Sequence, residues 1–171
     1  SLQVNRNNLL SGKLQNPLPV TLFDIVVMYQ NSAYVLEQPL PPGSSVDIGD
    51  ARLRTKSWWL NQKKLVAGKD QTTPWDPANH DVARIVQMLS FFEAAGGETY
   101  TRLSHSYARS LDLSPQLQMG STVVFARTEA SSLSLIDQSD SDSGANTRAT
   151  PVPVNDRQQF VRMILPVQGD P

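Results

Sequence analysis

Between Leu22 and Tyr29 the chain alternates with both registers apolar: Phe23, Ile25, Val27 and Tyr29 fall on one side, and Leu22, Val26 and Met28 fill most of the other. A strand apolar on both faces is covered on both faces, so this run predicts a central strand. Shorter runs of the same period surround it. Leu9, Leu10, Gly12 and Leu14 precede it and stop at Asn16-Pro17-Leu18-Pro19, because proline donates nothing to a strand ladder. Gln30-Asn31-Ser32 has turn chemistry and Ala33 to Leu36 resumes the strand pattern. Pro39-Leu40-Pro41-Pro42-Gly43 then breaks the chain before Ser45 to Ile48. Short strands separated by frequent turns suggest a sandwich or a barrel.

From Val82 the period lengthens. Val82, Ile85, Val86, Leu89 and Phe92 recur at helical spacing, with Asp81, Arg84, Gln87 and Ser90 opposite them. Asn79 or Asp81 caps the start of this helix, and Gly96-Gly97 supplies the left-handed conformation that ends it. Tyr100, Leu103, Tyr107 and Leu111 mark a second helix that runs until Asp112-Leu113-Ser114-Pro115. The two predict a helical hairpin inserted near residues 79–113.

The strand signal returns after Gly120. Thr122 to Thr128 contains Val123, Val124, Phe125 and Ala126, and Leu133 to Ile136 offers a short partner. Phe160 to Val167 reads as the last strand, with Val161, Met163, Leu165 and Val167 on one side and Pro166 marking an edge or a strand end. Residues 137–150 lack large apolar groups and include Asp140-Ser141-Asp142-Ser143-Gly144, so burial there cannot offset the entropy of ordering. The expectation is a flexible acidic loop.

At 171 residues the chain suits one domain, with enough length for a hydrophobic core. Charged residues make up only 18% of it, while Ser, Thr, Asn and Gln number 50, a make-up better matched to strands than to a helical bundle. With 15 Lys and Arg against 16 Asp and Glu, the overall balance carries no electrostatic signature of nucleic-acid binding. The absence of Cys removes disulfides, thiolate metal sites and a Cys nucleophile. No apolar run is long enough to span a membrane, and no export signal opens the chain. It begins Ser1-Leu2 without an initiator Met and reads as a piece of a longer protein.

Candidate chemistry is sparse. His80 sits at a helix start, where polar groups cap, and His105 lies between two serines. Neither belongs to a HExxH motif or a close carboxylate cluster, so no metal site or cofactor is predicted. No Gly-x-Ser-x-Gly elbow supports a catalytic triad, and no catalytic residue is assigned. The alternating Asp140 and Asp142 lack the further ligands of an EF-hand calcium loop.

One segment stands apart. Ala51 to Lys69 carries Arg52, Arg54, Lys56, Lys63, Lys64 and Lys69 with no acidic residue, around the pair Trp58-Trp59. Cations interleaved with aromatics suit a stacking surface for a polysaccharide, a lipid headgroup or a single nucleic-acid strand. The plainer reading buries one tryptophan under a long connection and leaves the cations as a solvated rim. The candidate ligand-binding set is Arg52, Arg54, Trp58, Trp59, Lys63 and Lys64, with Trp75 as a further aromatic.

Gly12-Lys13-Leu14-Gln15-Asn16, Leu22-Phe23-Asp24-Ile25-Val26-Val27-Met28-Tyr29, Ala33-Tyr34-Val35-Leu36 and Leu40-Pro41-Pro42-Gly43-Ser44-Ser45-Val46 together resemble immunoglobulin-like modules of bacterial membrane-anchored proteins. In those modules an opening strand ends in Asn, and a "Leu, x, Asp, apolar strand" segment and a Tyr-containing strand lead to a "Leu-x-Pro-Gly" turn. Phe160 to Val167 looks like their closing strand. The resemblance covers residues 9–48 and 159–167, and its motifs are structural. It implies a sandwich in an extracytoplasmic setting, periplasmic or at the cell surface, and no reaction.

The expected architecture is α+β, an antiparallel Ig-like β-sandwich with the inserted helical hairpin, in one domain spanning residues 1–171. The expected function is non-catalytic, an extracytoplasmic interaction or structural module of a larger membrane-anchored protein. Its partner is then a protein or the rest of the parent chain. The alternative is a ligand-binding domain for glycan, cell-wall or anionic headgroup material through segment 51–69.

Overall fold

The computed structural model describes residues 2–64, 82–98, 110–129, 135–136, 151–152 and 159–169. The chain forms β1 (Leu2–Val4), β2 (Leu10–Gln15), β3 (Phe23–Tyr29), β4 (Ser32–Val35), β5 (Ser45–Asp47) and β6 (Arg52–Thr55). Three helices follow: α1 (Lys56–Lys64), α2 (Val82–Leu89) and α3 (Ser114–Gln118). The later strands are β7 (Thr122–Thr128), β8 (Leu135–Ile136), β9 (Pro151–Val152), β10 (Gln159–Leu165) and β11 (Gln168–Gly169). Among the described residues, no helix is long and apolar enough to cross a membrane.

The strands make a four-stranded sheet ordered β11-β1-β2-β5 and a five-stranded sheet ordered β10-β7-β3-β4-β6. All pairings are antiparallel except β1 with β11. Leu14, Ile25, Val27, Tyr34, Leu40 and Val124 belong to the core between the sheets. Val26, Met28, Ala33, Val123 and Phe125, on the other side of the larger sheet, pack with Trp59, Leu60, Phe91 and Leu117 of the helical layer. The result is a sandwich-like α+β fold whose larger sheet has side chains buried on both faces. β3 lies at its centre, as its two-sided apolar pattern predicts. Ile25→Ala is expected to cost about 2–5 kcal/mol in chemical denaturation, because its buried site cannot fully collapse around the deleted atoms.

One detail of β3 departs from simple alternation. Its register with β7 slips by one residue between Phe23 and Val26, and Asp24 within this bulge has φ 50°. The slip sets Phe23 opposite Arg127, on the side of Phe125 and the helices, instead of beside Ile25 and Val27. Arg127 stacks over Phe23 at 5.4 Å, and its Nε donates to Asp24 at 2.8 Å. The Asp24 hydrogen bond raises the guanidinium pKa above its ordinary value. This clasp ties the bulge to the neighbouring strand.

Helix α2 closes with the bond from Ser90 N–H to the Val86 carbonyl at 2.9 Å, and the chain continues as turns to Gly96. Gly97 N–H reaches the Phe92 carbonyl at 2.9 Å and Gly96 N–H the Glu93 carbonyl at 3.1 Å, the paired bonds of a Schellman stop; Gly96 has φ 107°. The expected polar face of this helix is corrected. Gln87 and Ser90 are both buried, and the segment before α3 lies against the helix end at Ser90. Leu113 N–H donates to Ser90 O, Glu93 N–H to Asp112, and Ala94 N–H to the Ser114 hydroxyl. Leu135–Ile136 pairs with β9 and not with β7. Most of the second predicted helix, residues 137–150, Trp75, His80 and His105 lie outside the described residues.

Candidate interaction surface

Segment 51–69 was expected to be either a binding surface or a plain connection, and its described part is a strand running into a helix. β6 is the outermost strand of the larger sheet and pairs with β4. Arg54 stands opposite Ala33 and Arg52 opposite Val35, both of which pack toward the helical layer, so the two arginines share that side of the strand. Leu53 stands opposite Tyr34 on the sandwich side and is 42% exposed.

The strand becomes a helix at Thr55. Its Oγ1 accepts the Trp58 N–H at 3.1 Å, the bond of an N-cap, while Lys56 N–H donates to the Asn31 carbonyl at 2.8 Å. Consecutive helical residues are about 100° apart, which sends the two tryptophans into different surroundings. Trp59 is 5% exposed and meets Phe91 edge-on at 5.9 Å. Trp58 is 41% exposed, with the Arg54 guanidinium 5.2 Å from its ring centroid. Arg54 is engaged a second time, its Nη1 donating to the Leu53 carbonyl at 3.1 Å.

The structure therefore brings Arg52, Arg54 and Trp58 together and removes Trp59 to the core. Lys63 and Lys64 fall one turn on from Trp59 and Leu60, not from Trp58, and their side chains lie outside the description. Arg52 also faces Glu37 at 3.6 Å. Both side chains are largely exposed, so water and salt screen this pair and it fixes neither group strongly. An open depression of about 340 Å³ adjoins Arg52 and is bounded by Leu36, Glu37, Leu40 and Val46. A second, of about 390 Å³, lies between Phe23, Asp24, Glu37 and Trp59.

Sequence reasoning missed Leu53, Thr55 and Glu37 as parts of this corner. Thr55 ahead of a helix-favouring run is a readable cap signal. Glu37 gives no local signal, because only the β4–β6 pairing brings it to Arg52. Comparison with known protein families, curated proteins and solved structures finds no match for the chain.

Proposed function

We propose that this chain is a non-catalytic interaction or structural module of a larger, membrane-anchored bacterial protein in an extracytoplasmic setting. In this reading it is an immunoglobulin-like sandwich carrying a helical hairpin, and its contact surface is the β6–α1 corner. The motif resemblance over residues 9–48 and 159–167 supports the setting. The observation that carries the surface is the divergence of two adjacent tryptophans: Trp59 completes the core, while Trp58 stays accessible under Arg54 with Arg52 on the same side of β6. An aromatic ring left partly in water beside cations is a recognition element for anionic or planar groups.

The same ring and cations favour a second reading, a ligand-binding domain for glycan, cell-wall or anionic headgroup material. Both are tested by titrating the protein at low salt with an acidic peptide, an anionic polysaccharide and anionic lipid vesicles while following tryptophan emission. A saturable change that weakens as salt rises and vanishes in Trp58→Ala is expected, and the responding probe identifies the reading. Trp58→Ala is expected to fold, since the ring lies outside both cores. A flat titration with every probe would leave the corner as scaffold.

A further inference from the structure

We infer that the outer edge of β6 accepts an extended acidic segment of another protein as an added strand, and that Arg54 plugs this edge until the segment arrives. The inference rests on the reading of the β6–α1 corner as a contact surface.

The phase of the hydrogen bonding decides which backbone groups are free to bind. Leu36 N–H donates to the Ile25 carbonyl at 3.0 Å, so Leu36 bonds toward β3. Bonding direction alternates along an antiparallel strand. Tyr34 and Ser32 therefore also bond toward β3, and Ala33 and Val35 bond toward β6, through their partners Arg54 and Arg52. The bond from Lys56 N–H to Asn31 falls in the same phase. The backbone N–H and C=O of Leu53 must then point out of the sheet. Its carbonyl is the one that receives Arg54 Nη1. Among the described residues, nothing receives its N–H.

An edge strand with an outward rung is a template for another strand. The side chains select which one. A second copy of this chain, paired β6 to β6, would set arginine near arginine, and like charges across a ladder repel. An incoming strand with carboxylates opposite Arg52 and Arg54 and an apolar residue opposite the exposed Leu53 matches both sides of the edge. Its carboxylates draw the Arg54 guanidinium off the Leu53 carbonyl, and its own backbone N–H takes that acceptor. Because Arg54 also covers Trp58, its departure changes the surroundings of the ring and reports the event.

The test uses a peptide with a Glu-Val-Glu centre and the same peptide N-methylated at the central Val, which keeps every charge but loses the donor to Leu53. The unmodified peptide is expected to change Trp58 emission saturably and to slow hydrogen exchange at the Leu53 amide. The methylated peptide should bind about three- to tenfold more weakly, the loss of one backbone hydrogen bond. Leu53→Pro, which removes an outward N–H and no bond to β4, should weaken the parent peptide similarly. If that variant does not fold, the exchange measurement on the unaltered protein decides. Equal binding of both peptides, with unchanged Leu53 exchange, would overturn strand addition and leave the contact surface intact as a purely electrostatic one. Failure of every anionic probe would overturn the surface reading and this inference together.

Discussion

Asn16→Ala is expected to destabilise the fold by about 2–4 kcal/mol, with a matching fall in the urea midpoint, although it deletes only a small polar group. The Asn16 side chain is fully buried. Its Nδ2 donates to the carbonyls of Val20, Leu40 and Pro41 at 2.8, 2.9 and 3.1 Å, and its Oδ1 accepts the Leu18 N–H at 3.0 Å. One amide thus adds to the short antiparallel bridge of Leu22 with Leu40, the only strand-like pairing that these two proline-interrupted segments make among the described residues. Alanine takes this partner from the Val20 carbonyl and the Leu18 N–H, at about 1–3 kcal/mol for each one that water cannot reach, while the Leu40 and Pro41 carbonyls keep the N–H groups of Leu22 and Ser44. Asn16→Asp separates shape from chemistry. It keeps the acceptor for Leu18 but turns an oxygen toward three carbonyls, so it should be at least as damaging as alanine at neutral pH. A loss below about 1 kcal/mol for both variants would show that the two segments hold their positions without this side chain.

Phe91→Ala is expected to cost about 3–5 kcal/mol and to shift Trp59 emission to longer wavelength as water reaches the ring. Phe91 is fully buried between Trp59, at 5.9 Å, and Phe125, at 6.3 Å; Phe125 in turn lies 5.5 Å from Phe160. This row of rings connects α1, the turn after α2, β7 and β10, so truncating its middle member loosens the helical layer from the sheet. Thermal unfolding followed at once by far-ultraviolet circular dichroism and by tryptophan emission checks it. Unchanged emission and an unchanged midpoint would mean that the layer is held by contacts other than this row.

What the sequence discloses follows the strength of each local pattern. β3 and β7 are legible because unbroken apolar runs are buried on both faces, β4 as a short apolar run, β10 because half-buried apolar residues alternate with exposed ones from Val161, and α2 because its apolar positions repeat at helical spacing. α1 is hidden because, among its described side chains, only Trp59 and Leu60 enter the core, too few to draw a stripe. β6 reads as polar because an edge strand carrying arginines has no apolar face to show. β1 contributes three residues and owes its place to pairing with β2 and β11. The bulge at Asp24 is invisible for another reason: an aspartate with positive φ, clasped to an arginine 103 positions away, is specified by tertiary structure. The corner was legible as composition, while the opposite fates of Trp58 and Trp59 depend on where α1 begins, which Thr55 sets.

The central place of β3 has a consequence during synthesis. On one side its neighbour β4 follows after a two-residue turn, but on the other side β7 begins only at Thr122. That is about ninety residues after Tyr29, so a ribosome adding roughly 5–20 residues per second leaves a gap on the order of ten seconds. Throughout it, Ile25 to Tyr29 has one bare edge and the helix-layer face lacks Val123 and Phe125; for about the first two thirds of it Phe91 is missing as well. The segment that gives the finished sheet its centre is therefore also the one most exposed to wrong pairing in the emerging chain, where a chaperone has the most to shield.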